Sequence, residues 1–388
     1  MTLPACQFEE CSHSGNFLGP HIKEEHDLSL NEYLEKFPGA PTTSSALMKR
    51  MKKSPPARRR SAPASDSLTR TLMGIKTPVD PTVPASACLP FPDGYKWPTK
   101  GKAKKPILRA LRGLLAGRNV FLWGMPGTGK DAVVHAVSAL LRKPAVMVSF
   151  KPGTDISPMF FTRSINSEGT SWEYGVLWRA LTEGIPARDG KNRPALVLLS
   201  DVDRADQAQA EWFRLLTDSI SGRILGPDGS SHALFPGTQF FCTANSCGTG
   251  DSRGRMTSAN PIDGSLMDRL GRKIKAEYLH WDDESQVLRG KYPKVDQALP
   301  DLINQLGNAT LALRRAIEAE EVYAEFTHRS LCDILDEAAD IIEFTSSRSL
   351  KSGKVLSEAF LAWAEGLDEL NFLSAKRLID PHISGGSL

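Results

Sequence analysis

Residues Val120 to Asp131 read VFLWGMPGTGKD, an apolar run that breaks into glycines and ends in a lysine and an acid. Val120 to Trp123 predicts a buried strand, and Ala132, Val133, Ala136, Val137 and Leu140 repeat at helical spacing after it. Strand, glycine-rich turn and helix in that order form the context of the phosphate-binding pattern G-x-x-x-x-G-K. Gly124, Gly127 and Gly129 let the backbone curl so that successive N–H groups converge on phosphate oxygens, with Pro126 and Thr128 completing the loop. Lys130 adds a positive charge, and the N-terminus of the helix from Ala132 to Leu141 adds its dipole. These residues predict a site for ATP.

The eighth position departs from the pattern. A Ser or Thr there holds Mg²⁺ through its hydroxyl, whereas this chain has Asp131. A second apolar run, Ala195 to Leu199, leads into Ser200-Asp201-Val202-Asp203-Arg204-Ala205. Such a strand is expected to end in an Asp that helps to hold Mg²⁺, followed by a Glu that polarises water. If Asp203-Arg204-Ala205 sets the register, Ser200 takes the Asp place and Asp201 the Glu place. Carboxylate and hydroxyl have then traded positions around one ion, Asp131 on the loop and Ser200 on the strand. Alternatively, Asp201 is the metal carboxylate and Val202 follows where the Glu belongs, which favours a slow or inactive enzyme.

The chain has 388 residues, 40% of them hydrophobic, enough for a sizeable core and for two to three domains. Its net charge of +3 implies no partner, but the basic residues are unevenly spread. No apolar run reaches the roughly 18 residues of a membrane span, and the polar N-terminus does not read as a signal peptide. Cys6, Cys11, Cys88, Cys242, Cys247 and Cys332 are too scattered for a disulfide scaffold. A soluble, reducing, cytoplasmic setting is the expectation.

Four zones follow from composition. Residues 1–41 are rich in Cys and His, and residues 42–88 in Pro, Ser, Thr and Ala. The second zone packs Lys49, Arg50, Lys52, Lys53, Arg58, Arg59 and Arg60 together and predicts a disordered basic linker. Residues 89–282 alternate strand and helix patterns, which predicts an α/β fold with a parallel sheet, and residues 283–388 read as wholly helical. In the first zone, Cys6 and Cys11 precede His21 and His26, a tetrahedral Zn²⁺ ligand set whose His pair fits one face of a short helix. Phe17 and Leu18 are its candidate core. A segment of this size needs its metal in order to fold.

The stretch HIKEEHDLSLNEYLEKFPGAP resembles the end of the Ros/MucR-type zinc-finger family. The likeness does not by itself imply DNA binding, because the finger helix carries Glu24 and Glu25 beside Lys23. From about residue 90 onward the chain resembles AAA+ ATPases of the MoxR group, and within it the CobS-like small subunit of cobaltochelatase. GMPGTGKD, LLSDVDRA, GRILGPDGSSHALFPGTQFFCTANSCGTGD and SLMDRLGRK carry that likeness. It implies an AAA+ P-loop core with a C-terminal helical lid and a hairpin before the Thr-Ala-Asn strand. It places Asn245 where an amide orients the attacking water. It places Arg269 where an Arg reaches the neighbouring subunit's site, with Arg272 as a competitor. Arg329, in Thr327-His328-Arg329-Ser330, falls at the start of the lid helix, where a second Arg senses the nucleotide, although the family's Pro is missing and Arg314 or Arg315 are alternatives.

The resemblance also implies a homo-oligomer, a hexameric ring, and a partner bearing a von Willebrand factor A-like domain. Cobalt insertion does not follow from it. Phe160 and Phe161 lie either at a central channel or in the core, and Tyr95 or Trp97 is placed to stack on the adenine. Trp172 to Trp178 resembles the family's Gly-Ile-Leu-x-x-Ala region, a helix beside the nucleotide strand, with its aromatics assigned mainly to packing. Two functions of different class remain open. One is a ring-forming ATPase that hydrolyses ATP slowly with Mg²⁺ to remodel a protein or metal-enzyme partner. The other is a nucleotide-gated, weakly or non-hydrolysing assembly module that recruits nucleic acid or protein through its zinc finger and basic linker, the linker contacting phosphates without sequence preference.

Overall fold

The computed structural model describes residues 4–8, 11–15, 18–26, 28, 30–44, 68–166, 169–216, 222–250, 260–345 and 350–383. They belong to two units, Met1–Asp66 and Ser67–Leu388. In the first unit, α1 (Gly19–His26) and α2 (Leu30–Lys36) pack through Leu18, Ile22 and Tyr33, all fully buried, with Cys6 beside them. The Leu18 N–H donates to the Thr42 carbonyl at 2.9 Å, so the folded segment runs past Pro41. Phe17 and the basic cluster at 49–60 lie outside the described residues.

The second unit begins inside the stretch that composition assigns to a linker, and the boundary at 88 is corrected accordingly. β1 (Thr69–Leu72) and β2 (Ile75–Pro78) pair antiparallel around Met73 and Gly74, whose φ values of 48° and 80° make a type I′ turn. Leu72, Val79 and Val83 are buried at 3%, 6% and 2% exposure. Three well-spaced apolar side chains anchor a segment whose average composition is that of a linker.

After α3 (Gly101–Leu115) comes the central sheet. Its five strands are β3 (Val120–Trp123), β4 (Ala145–Ser149), β9 (Leu196–Ser200), β12 (Gln239–Ala244) and β13 (Arg272–Lys275). All pair in parallel, in the order β13-β3-β12-β9-β4. The strands alternate strictly: Phe121, Val197, Leu199, Phe240 and Cys242 enter one core, while Val120, Leu122, Leu196, Leu198 and Phe241 enter the other. Burial on both faces is what parallel sheets require, and it accounts for the unbroken apolar runs. Chain order reverses between β3 and β12, so a crevice opens at their carboxyl ends.

Between β4 and β9 the chain forms α5 (Ser157–Phe160), the hairpin β5 (Phe161–Asn166) and β6 (Gly169–Tyr174), and α6 (Val176–Thr182). The two-residue strands β7 (Ile185–Pro186) and β8 (Asn192–Arg193) follow. The stretch Trp172 to Trp178 is strand up to Tyr174 and helix from Val176. It breaks at Gly175, where a Cβ would lie 2.4 Å from the Pro158 and Met159 carbonyl oxygens. Phe160 is buried and stacks on Trp212 at 4.3 Å, and Phe161 meets Trp172 edge-on, so both phenylalanines pack locally. α7 (Gln207–Leu216) and the hairpin β10 (Arg223–Leu225) with β11 (Ser231–Ala233) precede β12. α8 (Gly264–Arg269) leads into β13.

The remaining elements are helical: α9 (Trp281–Lys291), α10 (Pro293–Ala298), α11 (Leu302–Glu318), α12 (His328–Phe344), α13 (Ser352–Ala364) and α14 (Glu369–Ile379). They share a core in which Leu331, Ile334, Leu335 and Ala338 of α12 are buried. No helix among the described residues is long and apolar enough to cross a membrane.

Candidate nucleotide site and Cys/His cluster

The loop after β3 feeds α4 (Lys130–Leu141), and Gly124, Gly127 and Gly129 take φ values of 155°, 74° and 73°. Gly127 is fixed from two directions. Its backbone is left-handed, and a Cβ there would meet Thr327 Cβ at 2.6 Å. The loop is thus pressed against the start of α12. Thr128 Oγ1 donates to the Met125 carbonyl at 2.8 Å, and the Tyr278 hydroxyl donates to the Pro126 carbonyl at 3.1 Å.

Lys130 is 8% exposed, and its Nζ donates to Gly124 O (2.8 Å), Met125 O (3.2 Å) and Asn245 Oδ1 (3.0 Å). Burial pushes its ammonium down, the charges of Asp131, Asp201 and Asp203 oppose that, and Arg329 adds to the depression. Arg329 therefore lies within electrostatic reach of the loop lysine, from the first turn of α12.

Asp131 receives a hydrogen bond on each carboxylate oxygen. Ser200 Oγ donates to Oδ2 at 2.6 Å, and Thr243 Oγ1 donates to Oδ1 at 2.6 Å. Ser200 closes β9 and Thr243 lies in β12, so the sheet register presents both hydroxyls to the first turn of α4. Asp201 follows with φ 55°, its N–H donating to Thr243 Oγ1 at 3.3 Å and its Oδ1 accepting from Asn245 Nδ2 at 3.3 Å. Burial, then the charges of Asp131 and Asp203, push the Asp201 carboxyl above its ordinary range. The structure thus brings Lys130, Asp131, Ser200, Asp201 and Asn245 into one network. Thr243 is the member that sequence reasoning missed. No local pattern marks it, because its meeting with Asp131 depends on how β12 pairs with β3.

A cavity of about 210 Å³ adjoins the loop, lined by Tyr95, Ile107, Gly127, Val133, Val287 and His328 among others. Tyr95 lines it, whereas Trp97 packs against the core beneath the sheet. Glu284, 2% exposed, accepts from Arg314 Nη1 at 2.7 Å and lies 3.1 Å from His328 Nδ1. Arg314 is thereby committed to a buried pair. Burial pushes the His328 imidazole down, but hydrogen bonds with Cys332 and Glu284 outweigh it and leave its pKa raised to about 9. Arg269 ends α8, with its Nη1 turned toward Ser265 of the same helix.

In the first unit, Cys6, Cys11, His21 and His26 place one ligand atom each within 4.8 Å of all the others. Cys6 Sγ lies 3.5 Å from His26 Nε2, and Cys11 Sγ lies 3.1 Å from His21 Nε2. Tetrahedral Zn²⁺ with ordinary Zn–S and Zn–N bonds would set such atoms roughly 3.5 Å apart, so the donor set fits. His13 stacks on His21 at 4.0 Å and Phe8 on His26 at 4.1 Å, which fixes both rings.

Residues 119–270 match the family described as AAA domain (dynein-related subfamily), over the loop, the strands β3, β4, β9 and β12 and the helix that ends in Arg269. This segment has an AAA-type P-loop fold. Midasin of Giardia intestinalis is 31% identical over 121 residues, 31% of this chain and 2% of that protein. The aerobic cobaltochelatase subunit CobS of Sinorhizobium sp is 25% identical over 194 residues, 48% of this chain and 55% of that protein. The chain therefore matches a small fraction of midasin and about half of CobS. A RuvB mutant of Thermotoga maritima aligns with a TM-score of 0.45 and 12% identity, covering 71% of this chain and 75% of that one. The matched segment holds the phosphate loop and four of the five sheet strands, and the elements from Trp281 onward form a helical C-terminal region.

Proposed function

We propose that the chain is an AAA+ ATPase that binds ATP and hydrolyses it slowly, with Asp131 and Ser200 holding Mg²⁺ in exchanged positions. One observation carries this reading: Ser200 Oγ and the Asp131 carboxylate are 2.6 Å apart beside buried Lys130. Two oxygen donors, one of them anionic, suit a hard cation. When bound, Mg²⁺ would neutralise charge on the phosphates. The chain's own residues do the rest. The backbone of the 124–129 loop and Lys130 hold the phosphates. Asp201 polarises the attacking water, and its raised pKa makes it a better base than a free aspartate. Asn245, bonded to both Lys130 and Asp201, sets that water's direction. Asp201 is one methylene shorter than a Glu, and a misplacement of about 1 Å costs on the order of 10²-fold, which supports slow turnover.

By its likeness to CobS, the chain would work as a hexameric ring in which Arg269 completes the neighbouring site and a von Willebrand factor A-like protein is the partner. The first unit would hold Zn²⁺ through Cys6, Cys11, His21 and His26 and act in recruitment. The test is a double-mutant cycle on Mg²⁺–ATP binding with phosphate release measured alongside. Asp131→Ser and Ser200→Asp should each weaken binding, the first by removing a carboxylate and the second by crowding two. The double variant should recover it, and Asp201→Asn should abolish release while keeping ATP bound. Losses that simply add in the double variant would show that the two residues do not share an ion.

A further inference from the structure

Asp203 has no part in the phosphate loop or the metal pair, yet it is completely buried. Its Oδ2 accepts from two successive backbone N–H groups, those of Asn245 at 2.9 Å and Ser246 at 2.8 Å. Its carbonyl accepts the Asn260 N–H at 2.6 Å. Its Oδ1 is buried with no partner among the described residues. A carboxylate held out of water on backbone donors is costly unless its charge is used. Here the charge meets Lys130, whose ammonium is held up in part by Asp203. Hydrogen bonds from N–H to a carboxylate are roughly twice as strong as neutral ones, and two of them from adjacent residues fix a peptide plane.

We propose that Asp203 is a positioning residue for hydrolysis: its carboxylate clamps the Asn245–Ser246 backbone and so holds the Asn245 amide between Lys130 and Asp201. The geometry is sequential. β12 ends at Ala244, and beyond that point no sheet partner holds Asn245 in register. Asp203, from the turn after β9, supplies the missing constraint from the neighbouring strand. The Asn245 side chain then accepts from Lys130 with its oxygen and donates to Asp201 with its nitrogen, both within 3.3 Å. Asp203 touches neither phosphate nor water in this scheme. It acts through Asn245.

The inference rests on the hydrolytic reading above, and its test separates the two. Asp203→Ala and Asp203→Asn are compared with the parent and with Asn245→Ala, by phosphate release, ATP binding and amide hydrogen exchange across residues 243–248. Asp203→Ala should lower kcat by about 10²-fold with little change in KM, as about 1 Å of misplacement does. Asp203→Asn, which keeps an acceptor oxygen of the same shape, should recover most of that loss. In an Asn245→Ala background, Asp203→Ala should cost no further activity, since the group it positions is gone. Exchange at 243–248 should quicken in Asp203→Ala whether or not the protein hydrolyses ATP. Unchanged exchange overturns the clamp, and so does an equal kcat loss with and without Asn245. A parent that binds ATP but releases no phosphate defeats the hydrolytic reading, and the exchange arm still decides the clamp.

Discussion

Asp131 illustrates how one side chain can be read two ways until its neighbours are known. In the sequence it is a violation at the eighth place of a phosphate loop. In the fold it accepts hydrogen bonds from Ser200, 69 residues away, and from Thr243, 112 residues away. The first partner was legible because both residues stood in motifs whose departures mirror each other. The second was not, because it depends on the register of β12 against β3, which no local pattern fixes. Thr243 is fully buried and serves two acids, donating to Asp131 and accepting from the Asp201 N–H. Thr243→Val, which keeps the shape, should therefore cost about 1–3 kcal/mol by leaving buried polar groups unpaired. Urea unfolding of parent and variant measures this, and a change below about 0.5 kcal/mol, as at an ordinary surface site, would mean that the hydroxyl bridge contributes nothing.

Among the elements, the parallel sheet was the most legible part, because strands buried on both faces leave unbroken apolar runs. The hairpin at 69–78 was hidden for the opposite reason: its turn uses Met73-Gly74 rather than Asn-Gly, and its strands are mostly exposed. Helix α12 carries more than its apolar stripe announced. Its first residue, His328, lines the cavity and faces buried Glu284. The folded pKa of His328, about 9, lies above its ordinary 6.5. A group whose pKa rises on folding lends stability in full below its unfolded pKa, and loses it as pH climbs through the folded value. The protein should thus be steadiest below pH about 6.5 with respect to this group and lose that contribution between about 6.5 and 9. Thermal melts of the parent and of His328→Gln over this window give the check. Curves that fall in parallel would show that the Glu284–His328 pair does not titrate with folding.

At the scale of the whole molecule, two units differ in what holds them. Ser67–Leu388 has large apolar cores, whereas the described residues of Met1–Asp66 form a small cluster around Leu18, Ile22 and Tyr33 and gather Cys6, Cys11, His21 and His26. The full chain should therefore bind one Zn²⁺ tightly, and Cys6→Ser with Cys11→Ser should bind none while keeping its ATP affinity. Metal analysis after dialysis decides this, and equal zinc in parent and variant would refute the site. The cavity beside the phosphate loop has a further consequence. One wall comes from the 92–98 segment, and another from His328, where α12 leans on Gly127. If the proposed nucleotide sits there, His328 and the start of α12 would cover part of it, and its departure would call for α12 to move off the loop. The dwell time of spent nucleotide would then be set by how often that cover lifts, and this opening rather than bond cleavage would pace the cycle.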